Sequence, residues 1–219
     1  NYDHEFESRD GYAYLVNKDD AIPVNIYMGV DLAYEATESS DYQIIMVIGI
    51  DSDRNIYVID YMREHIPLYD MPEQILEYAR EFSPVKRVNV EHVGAQGIIK
   101  DAVNSLSGKE RKVAPGIALG VRPPSGIKKE DRLESLLAPI VNRKKMFIKR
   151  SHTSLVDEMY QFPKGKNDDI LDGLWYAINK ARPPVSKRFD ATDFIENKVV
   201  KPVSETKKRV ISWVTGQKI

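Results

Sequence analysis

Acidic residues end two apolar runs of this chain and begin a third, helical segment. Asp31 follows the apolar residues 27–30, Glu91 follows residues 88–90, and Asp168 and Asp169 precede a helical pattern. Carboxylates in such positions can converge on a divalent cation, which phosphodiester hydrolysis commonly uses. Oxygen ligands favour Mg²⁺ or Mn²⁺, and the chain has no cysteine for a thiolate site. The spacing therefore predicts a metal-dependent nuclease.

Helix capping is an alternative role for the last acidic group. Acids in the first turn of a helix are favoured by its dipole, by roughly 0.3–1 kcal/mol. Asp168 could be the cap and Asp169 the ligand, while Asp172, one turn further on, could be an alternate or supporting ligand. Asp41 either closes a turn before the second strand or reaches a second cation. These alternatives stay open at the level of sequence.

Secondary-structure patterns show how the acids could meet. Apolar residues 26–32, 44–50 and 56–61 predict three strands joined by short turns, which is an antiparallel meander. Alternating helical and strand patterns follow, with helical spacing after residues 70, 98, 133, 155 and 170. We predict an α/β fold with a mixed sheet of five or more strands and helices on both faces. A strand at 88–90, parallel to the first, would bring Glu91 beside Asp31.

The chain divides by composition into three segments. Residues 1–24 are polar without a sustained period and are interpreted as a linker, residues 25–184 as the functional domain, and residues 185–219 as a C-terminal tail. Hydrophobic residues make up 42% of the chain, which is typical of a globular protein. Its apolar runs are all shorter than the roughly 20 residues of a membrane helix.

Local basic groups are the candidates for binding nucleic acid, because the formal net charge is only −1. Lys and Arg contacts to phosphates give sequence-independent, salt-sensitive binding. The alternative for each residue is a solvated surface. The two groups nearest to the acids in sequence, at 144–145 and 164–166, are favoured. The candidate set is Lys128, Lys129, Arg132, Lys144, Lys145, Lys164 and Lys166.

Four motifs occur in a fixed order along residues 25–182. They are Gly29-Val30-Asp31-Leu32-Ala33, Val90-Glu91 followed by Gly94, Lys128-Lys129-Glu130-Asp131-Arg132-Leu133 with Pro139 downstream, and Phe162-Pro163-Lys164-Gly165 leading into Asn167-Asp168-Asp169. Together they resemble the nuclease domain of the large terminase subunit of tailed bacteriophages. The resemblance implies a ribonuclease H-like, resolvase-type fold. It also implies metal-dependent endonuclease activity on double-stranded, concatemeric viral DNA during genome packaging.

The resemblance also assigns roles by position. Asp31, Glu91 and Asp169 become the catalytic, metal-binding triad, with Asp168 the paired alternative. Asp31 would bridge two Mg²⁺ or Mn²⁺ ions when DNA is bound, with Glu91 on one ion and Asp169 on the other. Many relatives have His where Asn167 stands. Asn cannot titrate, so no acid-base role is expected at that position.

The expected partners also follow from the resemblance. They are double-stranded DNA, the portal protein, the small terminase subunit and an ATPase domain of the full-length chain, acting in the host cell cytoplasm during viral assembly and not at a membrane. Gly108-Lys109-Glu110 lacks the upstream glycine and the Ser or Thr of a Walker A loop. The ATPase domain is therefore expected outside this sequence, and residues 1–24 are expected to connect it to the functional domain.

Two other functions remain open. The same acids could serve another ribonuclease H-like nuclease, such as a junction resolvase or a transposase core. The chain could also be a DNA- or portal-docking module that keeps the fold without hydrolysis.

Overall fold

The computed structural model describes residues 2–33, 42–92, 97–109, 111–165 and 167–184. This part of the chain forms one mixed sheet and five α-helices. The strands are β1 (Glu5–Arg9), β2 (Tyr12–Val16), β3 (Ala21–Asp31), β4 (Gln43–Ile50), β5 (Ile56–Glu64), β6 (Val85–Glu91), β7 (Ala118–Val121) and β8 (Met146–Ile148). The helices are α1 (Met71–Glu81), α2 (Gly97–Ser107), α3 (Lys129–Asn142), α4 (Thr153–Gln161) and α5 (Asp169–Ile178).

The long strand β3 organises the sheet. It pairs antiparallel with β4 and parallel with β6, and β4 pairs antiparallel with β5. Two outer strands run parallel to their neighbours, β7 beside β6 and β8 beside β5. The predicted meander of three strands and the larger mixed sheet are confirmed. The short strand β8 was not predicted, because three residues carry almost no period.

The interpretation of residues 1–24 as a linker is wrong for most of that segment. Strands β1 and β2 form a hairpin, and β2 pairs with the first residues of β3. Asp10 and Gly11 both have positive φ, as the tight turn of a hairpin requires. Leu15 is fully buried, so this hairpin belongs to the core despite its polar composition. A connection to an upstream ATPase domain stays a prediction.

Helices cover both faces of the sheet, as predicted. On one face, α1 and α2 pack over Ile45 and Val47 of β4. On the other face, α3, α4 and α5 pack over Ile44, Met46 and Ile48. The alternation follows from the period of two in a strand. No helix in the described ranges is long and apolar enough to cross a membrane.

Two helix ends differ from the sequence patterns. Helix α3 continues through Pro139 to Asn142, although a proline inside a helical pattern commonly ends the helix. Helix α5 ends at Ile178, before the apolar pattern that reaches Ala181. Residues 179–180 form a turn instead, with Lys180 at a positive φ of 57°.

Two glycines let α5 lie directly against the sheet. A Cβ atom on Gly29 of β3 would stand 2.2 Å from both the Ala177 nitrogen and the Gly173 oxygen. A Cβ atom on Gly173 would stand 2.5 Å from the Ile44 side chain. The backbones of α5 and β3 are therefore in contact. Since Gly29 precedes Asp31 by two residues and Gly173 follows Asp172, this contact sets the distance between those two acids.

Replacing Gly29 with alanine should destabilise the fold by about 3 kcal/mol, because backbone atoms on α5 cannot move aside as a flexible side chain can. Urea unfolding followed by circular dichroism measures this change. Gly108→Ala is the matched control, because the nearest atom to its added Cβ would be 3.7 Å away. We expect it to change stability by less than about 1 kcal/mol. Equal stabilities of the two variants would contradict the close contact.

Candidate active site

The ends of β3 and β6 bring the first two acids together. In the parallel register, Val30 lies opposite Val90, so Asp31 and Glu91 follow at the same edge of the sheet. This confirms the juxtaposition expected from the sequence. The two carboxyl groups lie close enough that the charge of Glu91 disfavours ionisation of Asp31. Burial raises the pKa of Asp31 well above its usual range, and the nearby Asp172 and Glu91 raise it further, while Lys129 opposes the rise.

Hydrogen bonds hold Glu91 in place. The Tyr176 hydroxyl donates to Oε1 at 3.1 Å, and the Leu32 backbone N–H approaches Oε2 at 3.4 Å. Burial together with the carboxylates of Glu91 and Asp31 raises the pKa of Tyr176. Tyr176 therefore remains a protonated donor. Asn89, in turn, anchors β6 to the end of α5, donating to the carbonyl oxygen of Tyr176 at 2.7 Å.

Helix α5 contributes the third acid, which is Asp172. The negative charge of this carboxylate raises the pKa of Asp31. It contacts Lys129 Nζ at 2.5 Å through Oδ2 and the Arg132 guanidinium through Oδ1. Burial raises the pKa of Asp172, and the charges of Lys129 and Arg132 oppose that rise. Asp172 is thus buried beside Asp31 and tied to α3 by two ion pairs.

Asp168 lies on the same side of α5 as Asp172. Four helical residues span a little over one turn, so the two side chains point in similar directions. The Lys129 ammonium lies 2.6 Å from Asp168 Oδ1 and bridges both acids. Although burial alone favours the neutral amine, Asp172 and Asp168 outweigh it and raise the pKa of Lys129. Asp168 makes no side-chain cap to its own helix.

Asp169 has a different charged neighbour from Asp172. Its Oδ2 lies 3.7 Å from Arg63 Nη2 of β5. The buried Glu158 of α4 has its Oε1 3.8 Å from the same nitrogen. Asp169 and Asp172 lie roughly 60° apart around the helix axis, and their carboxylates have different partners, Arg63 for Asp169 and Lys129 with Arg132 for Asp172. The group around Asp31 and Glu91 contains Asp172, whose charge raises the pKa of Asp31, and the assignment of Asp169 to the acidic triad stays a prediction.

The charges of this cluster fit a divalent cation. Four carboxylates, of Asp31, Glu91, Asp168 and Asp172, face two cations, of Lys129 and Arg132. An excess of two negative charges remains when all are ionised, and it is concentrated at Asp31 and Glu91. Carboxylate oxygens are suitable ligands for Mg²⁺ or Mn²⁺. Within the described ranges, however, no three acidic or histidine side chains are already arranged to hold one ion.

Two of the predicted DNA-binding cations lie within the cluster. Arg132 is only 7% exposed and stacks over the Trp175 ring at 4.6 Å. Its guanidinium is buried against Asp172, so the structure gives no support to the predicted phosphate contact, which stays a prediction. Lys129 is partly exposed and pairs with Asp168 and Asp172. Lys128, at the start of α3, is exposed, and so is Lys164, in the turn between α4 and α5.

Lys144 and Lys145 lie at the other end of the sheet. The Lys145 carbonyl accepts a hydrogen bond from Ile56 N–H at 2.8 Å, where β5 begins. Ile56 pairs with Ile50, and Ile50 pairs with Asn25, six residues before Asp31 on β3. Six strand residues span about 20 Å. Nearness to the acids in sequence was therefore the wrong reason to favour this pair for DNA contact.

Two predicted site residues, Asp41 and Lys166, fall outside the described residues. Three further residues of the site were missed by sequence reasoning. Tyr176 could have been found, since it follows Asp172 by four residues and so shares its face of the helix. Arg63 and Glu158 carry no local signal, because only the tertiary fold brings them to α5.

Comparison with known proteins identifies the architecture. No protein-family model and no curated protein matches the sequence. The crystal structure of the large terminase nuclease from thermophilic phage G20c matches with a TM-score of 0.52 and 16% identity, covering 82% of this chain and 93% of that chain. The yeast mitochondrial Holliday junction resolvase Ydc2 has a TM-score of 0.43 and 13% identity, covering 68% and 75%. The phage nuclease and the strand order together show that this chain has a ribonuclease H-like fold.

Proposed function

We propose that this chain is a divalent-metal-dependent endonuclease that cuts double-stranded DNA. One observation carries the proposal: Asp31, Glu91 and Asp172 come from β3, β6 and α5 and meet at one edge of the sheet. Buried carboxylates in contact repel one another unless protons or cations compensate them. An arrangement with that cost is typical of a site built to bind a cation.

Asp31 and Glu91 would hold the ion, with Asp172 as the third ligand. Asp172 would then exchange part of its contact with Lys129 or Arg132 for the ion. A bound divalent cation would lower the pKa of an attacking water and stabilise the leaving oxygen. The excess of two negative charges matches one ion in the free protein. A DNA phosphate would bring the negative charge that a second ion requires.

The surrounding side chains have distinct tasks in this proposal. Tyr176 orients Glu91 by donating to Oε1. Arg132 holds Asp172 from the protein interior, because it is buried and packed on Trp175. Lys129 is partly exposed and carries positive charge next to the acids, where an incoming phosphate would arrive. It can therefore offset the charge of the phosphate as the DNA binds.

Plasmid cutting tests the proposal directly. Supercoiled plasmid incubated with the purified chain and Mn²⁺ or Mg²⁺ should be nicked and then linearised, and excess EDTA should stop the reaction. Cutting that persists in EDTA would reject the role of the cation. If neither ion supports cutting of plasmid or of a branched junction, the nuclease proposal fails.

The exposed lysines at the acidic end should carry DNA binding. Removing Lys128 and Lys164 together should weaken duplex binding and reduce the slope of log affinity against log salt by about 1.8, because two phosphate contacts are lost. Fluorescence anisotropy with a labelled duplex in EDTA measures this without cutting. The matched control removes Lys144 and Lys145, which have the same charge but lie at the far end of the sheet. A larger loss in the control would place the DNA elsewhere.

On the sequence resemblance, the proposal extends to viral genome packaging. The substrate would be concatemeric viral DNA in the host cell cytoplasm. The portal protein, the small terminase subunit and an ATPase domain of the full-length chain would be the partners. A packaging assay with the full-length protein, in which a nuclease-deficient variant still binds its partners, tests this extension.

A further inference from the structure

The first turn of α5 lacks the cap that its own sequence suggests. A helix begins with backbone N–H groups that have no partner inside the helix, and an Asp before the first turn commonly accepts one of them. Asp168 occupies that position but makes no such hydrogen bond. Its carboxylate is bound to Lys129 instead, at 2.6 Å. The helix that carries Asp172 must therefore be capped by another group.

Glu158 of α4 is that group. Its Oε2 accepts the backbone N–H groups of Ile170 at 3.0 Å and Leu171 at 3.3 Å. The residue is only 6% exposed, so these bonds form out of contact with bulk water. The other oxygen, Oε1, lies 3.8 Å from Arg63 Nη2, and the same nitrogen lies 3.7 Å from Asp169. Glu158 thus joins α4, the end of β5 and the start of α5.

We propose that Glu158 is a positioning residue, which caps α5 from a neighbouring helix and so leaves Asp168 to hold Lys129 beside Asp172. The cap itself is independent of any reaction. Its effect on catalysis rests on the proposed nuclease function. Burial raises the pKa of Glu158 to about 7, and Arg63 opposes the rise. The protonated and the ionised carboxyl both keep Oε2 as an acceptor, so the cap persists in both forms.

The consequence for the site is geometric. Losing the cap would release the first turn of α5, which begins three residues before Asp172. A slip by one residue moves a helical side chain by 1.5 Å along the axis and turns it by about 100°. A displacement of about 1 Å in a catalytic group can cost around 10²-fold in rate. The cap therefore protects the register between Asp172 and the acids at the ends of the strands.

Amide hydrogen exchange tests the cap without reference to activity. Glu158→Ala should increase the exchange rates of the Ile170 and Leu171 amides about tenfold relative to the Met46 amide in the central sheet. Glu158→Gln keeps an acceptor oxygen of the same length and should stay within about threefold of the parent. Asp157→Ala, at the adjacent exposed position of α4, is the control and should change neither amide. Unchanged exchange in Glu158→Ala would overturn the proposal.

The conservative variants separate positioning from folding. Glu158→Asp keeps the charge but is one methylene too short, so it should resemble Glu158→Ala, whereas Glu158→Gln should resemble the parent. If Glu158→Gln fails to fold or exchanges as fast as Glu158→Ala, the charge and not the acceptor matters, and the proposal is wrong.

Plasmid cutting then connects the cap to the site. At saturating Mn²⁺, Glu158→Ala should lower the maximal rate about tenfold or more, and Glu158→Gln should restore it. If the parent chain does not cut DNA, the nuclease proposal fails, while the exchange data still decide the cap. If the parent cuts and Glu158→Ala cuts equally fast despite rapid exchange, the positioning role is rejected.

Discussion

Replacing Asp31 with asparagine should reduce plasmid cutting by about 10³-fold or more, because one ligand oxygen and one negative charge are lost at the centre of the cluster. The fold should not suffer. The pKa of Asp31 is raised in the folded protein by burial and by Asp172 and Glu91, so its ionised form destabilises the fold at neutral pH. Asn removes that cost, and the melting temperature should stay the same or rise. Quantified nicking of supercoiled plasmid and calorimetry measure the two effects.

Asp157→Asn is a suitable control for this prediction, because Asp157 is exposed on α4. It should cut at the parent rate. Added Mn²⁺ should not rescue Asp31→Asn fully, since an amide oxygen is a weak ligand compared with a carboxylate. Cutting by Asp31→Asn within tenfold of the parent would remove Asp31 from the reaction and with it the basis of the proposed site.

Comparing Asp172→Asn with Asp169→Asn should identify the third acid. We expect Asp172→Asn to lose about 10²–10³-fold in rate and Asp169→Asn to lose less than about tenfold. The reason is that the two acids have different neighbours. Asp172 is close enough to Asp31 for its charge to raise the pKa of Asp31, whereas Asp169 lies beside Arg63. Single-turnover cutting at saturating Mn²⁺ measures the rates.

Stability must be followed in the same comparison. Asp172→Asn weakens two ion pairs, with Lys129 and with Arg132, and should lower the free energy of unfolding by about 3 kcal/mol. Rates are therefore compared well below the melting temperature of that variant. The opposite ranking, with Asp169→Asn the slower enzyme, would support the assignment of Asp169 made from the sequence motif. It would also mean that α5 turns when DNA and metal bind.

The sequence could predict those parts of the fold that local patterns encode. The meander β3–β5 and the helices follow from periods of 2 and 3.6. The meeting of Asp31 and Glu91 follows from one further rule, that parallel strands end at the same edge of a sheet. The hairpin β1–β2 was missed because β1 is mostly polar and the apolar run of β2 is only five residues long. The Asp10-Gly11 turn was the available signal.

The rest of the site depends on contacts between distant segments. A helix dipole favours Asp168, Asp169 and Asp172 alike, so no local rule chooses among them. The partners that distinguish them come from other elements: Lys129 and Arg132 of α3 pair with Asp172, and Arg63 of β5 lies beside Asp169. The position of Lys144 and Lys145 could likewise not be predicted from local sequence patterns. They follow α3, a helix of 14 residues that begins at the acids and carries the chain about 20 Å away from them.

The glycine contact between α5 and β3 limits how this protein could be engineered. Exchanging glycine for alanine in regular structure ordinarily strengthens a protein, since the unfolded chain loses freedom. At Gly29 that strategy is closed, because the α5 backbone atoms that exclude a methyl group also set the spacing of Asp31 and Asp172, and at Gly173 the Ile44 side chain leaves no room for a methyl group. Substitutions meant to raise the melting temperature should therefore be placed at positions whose side chains do not touch the contact between α5 and β3.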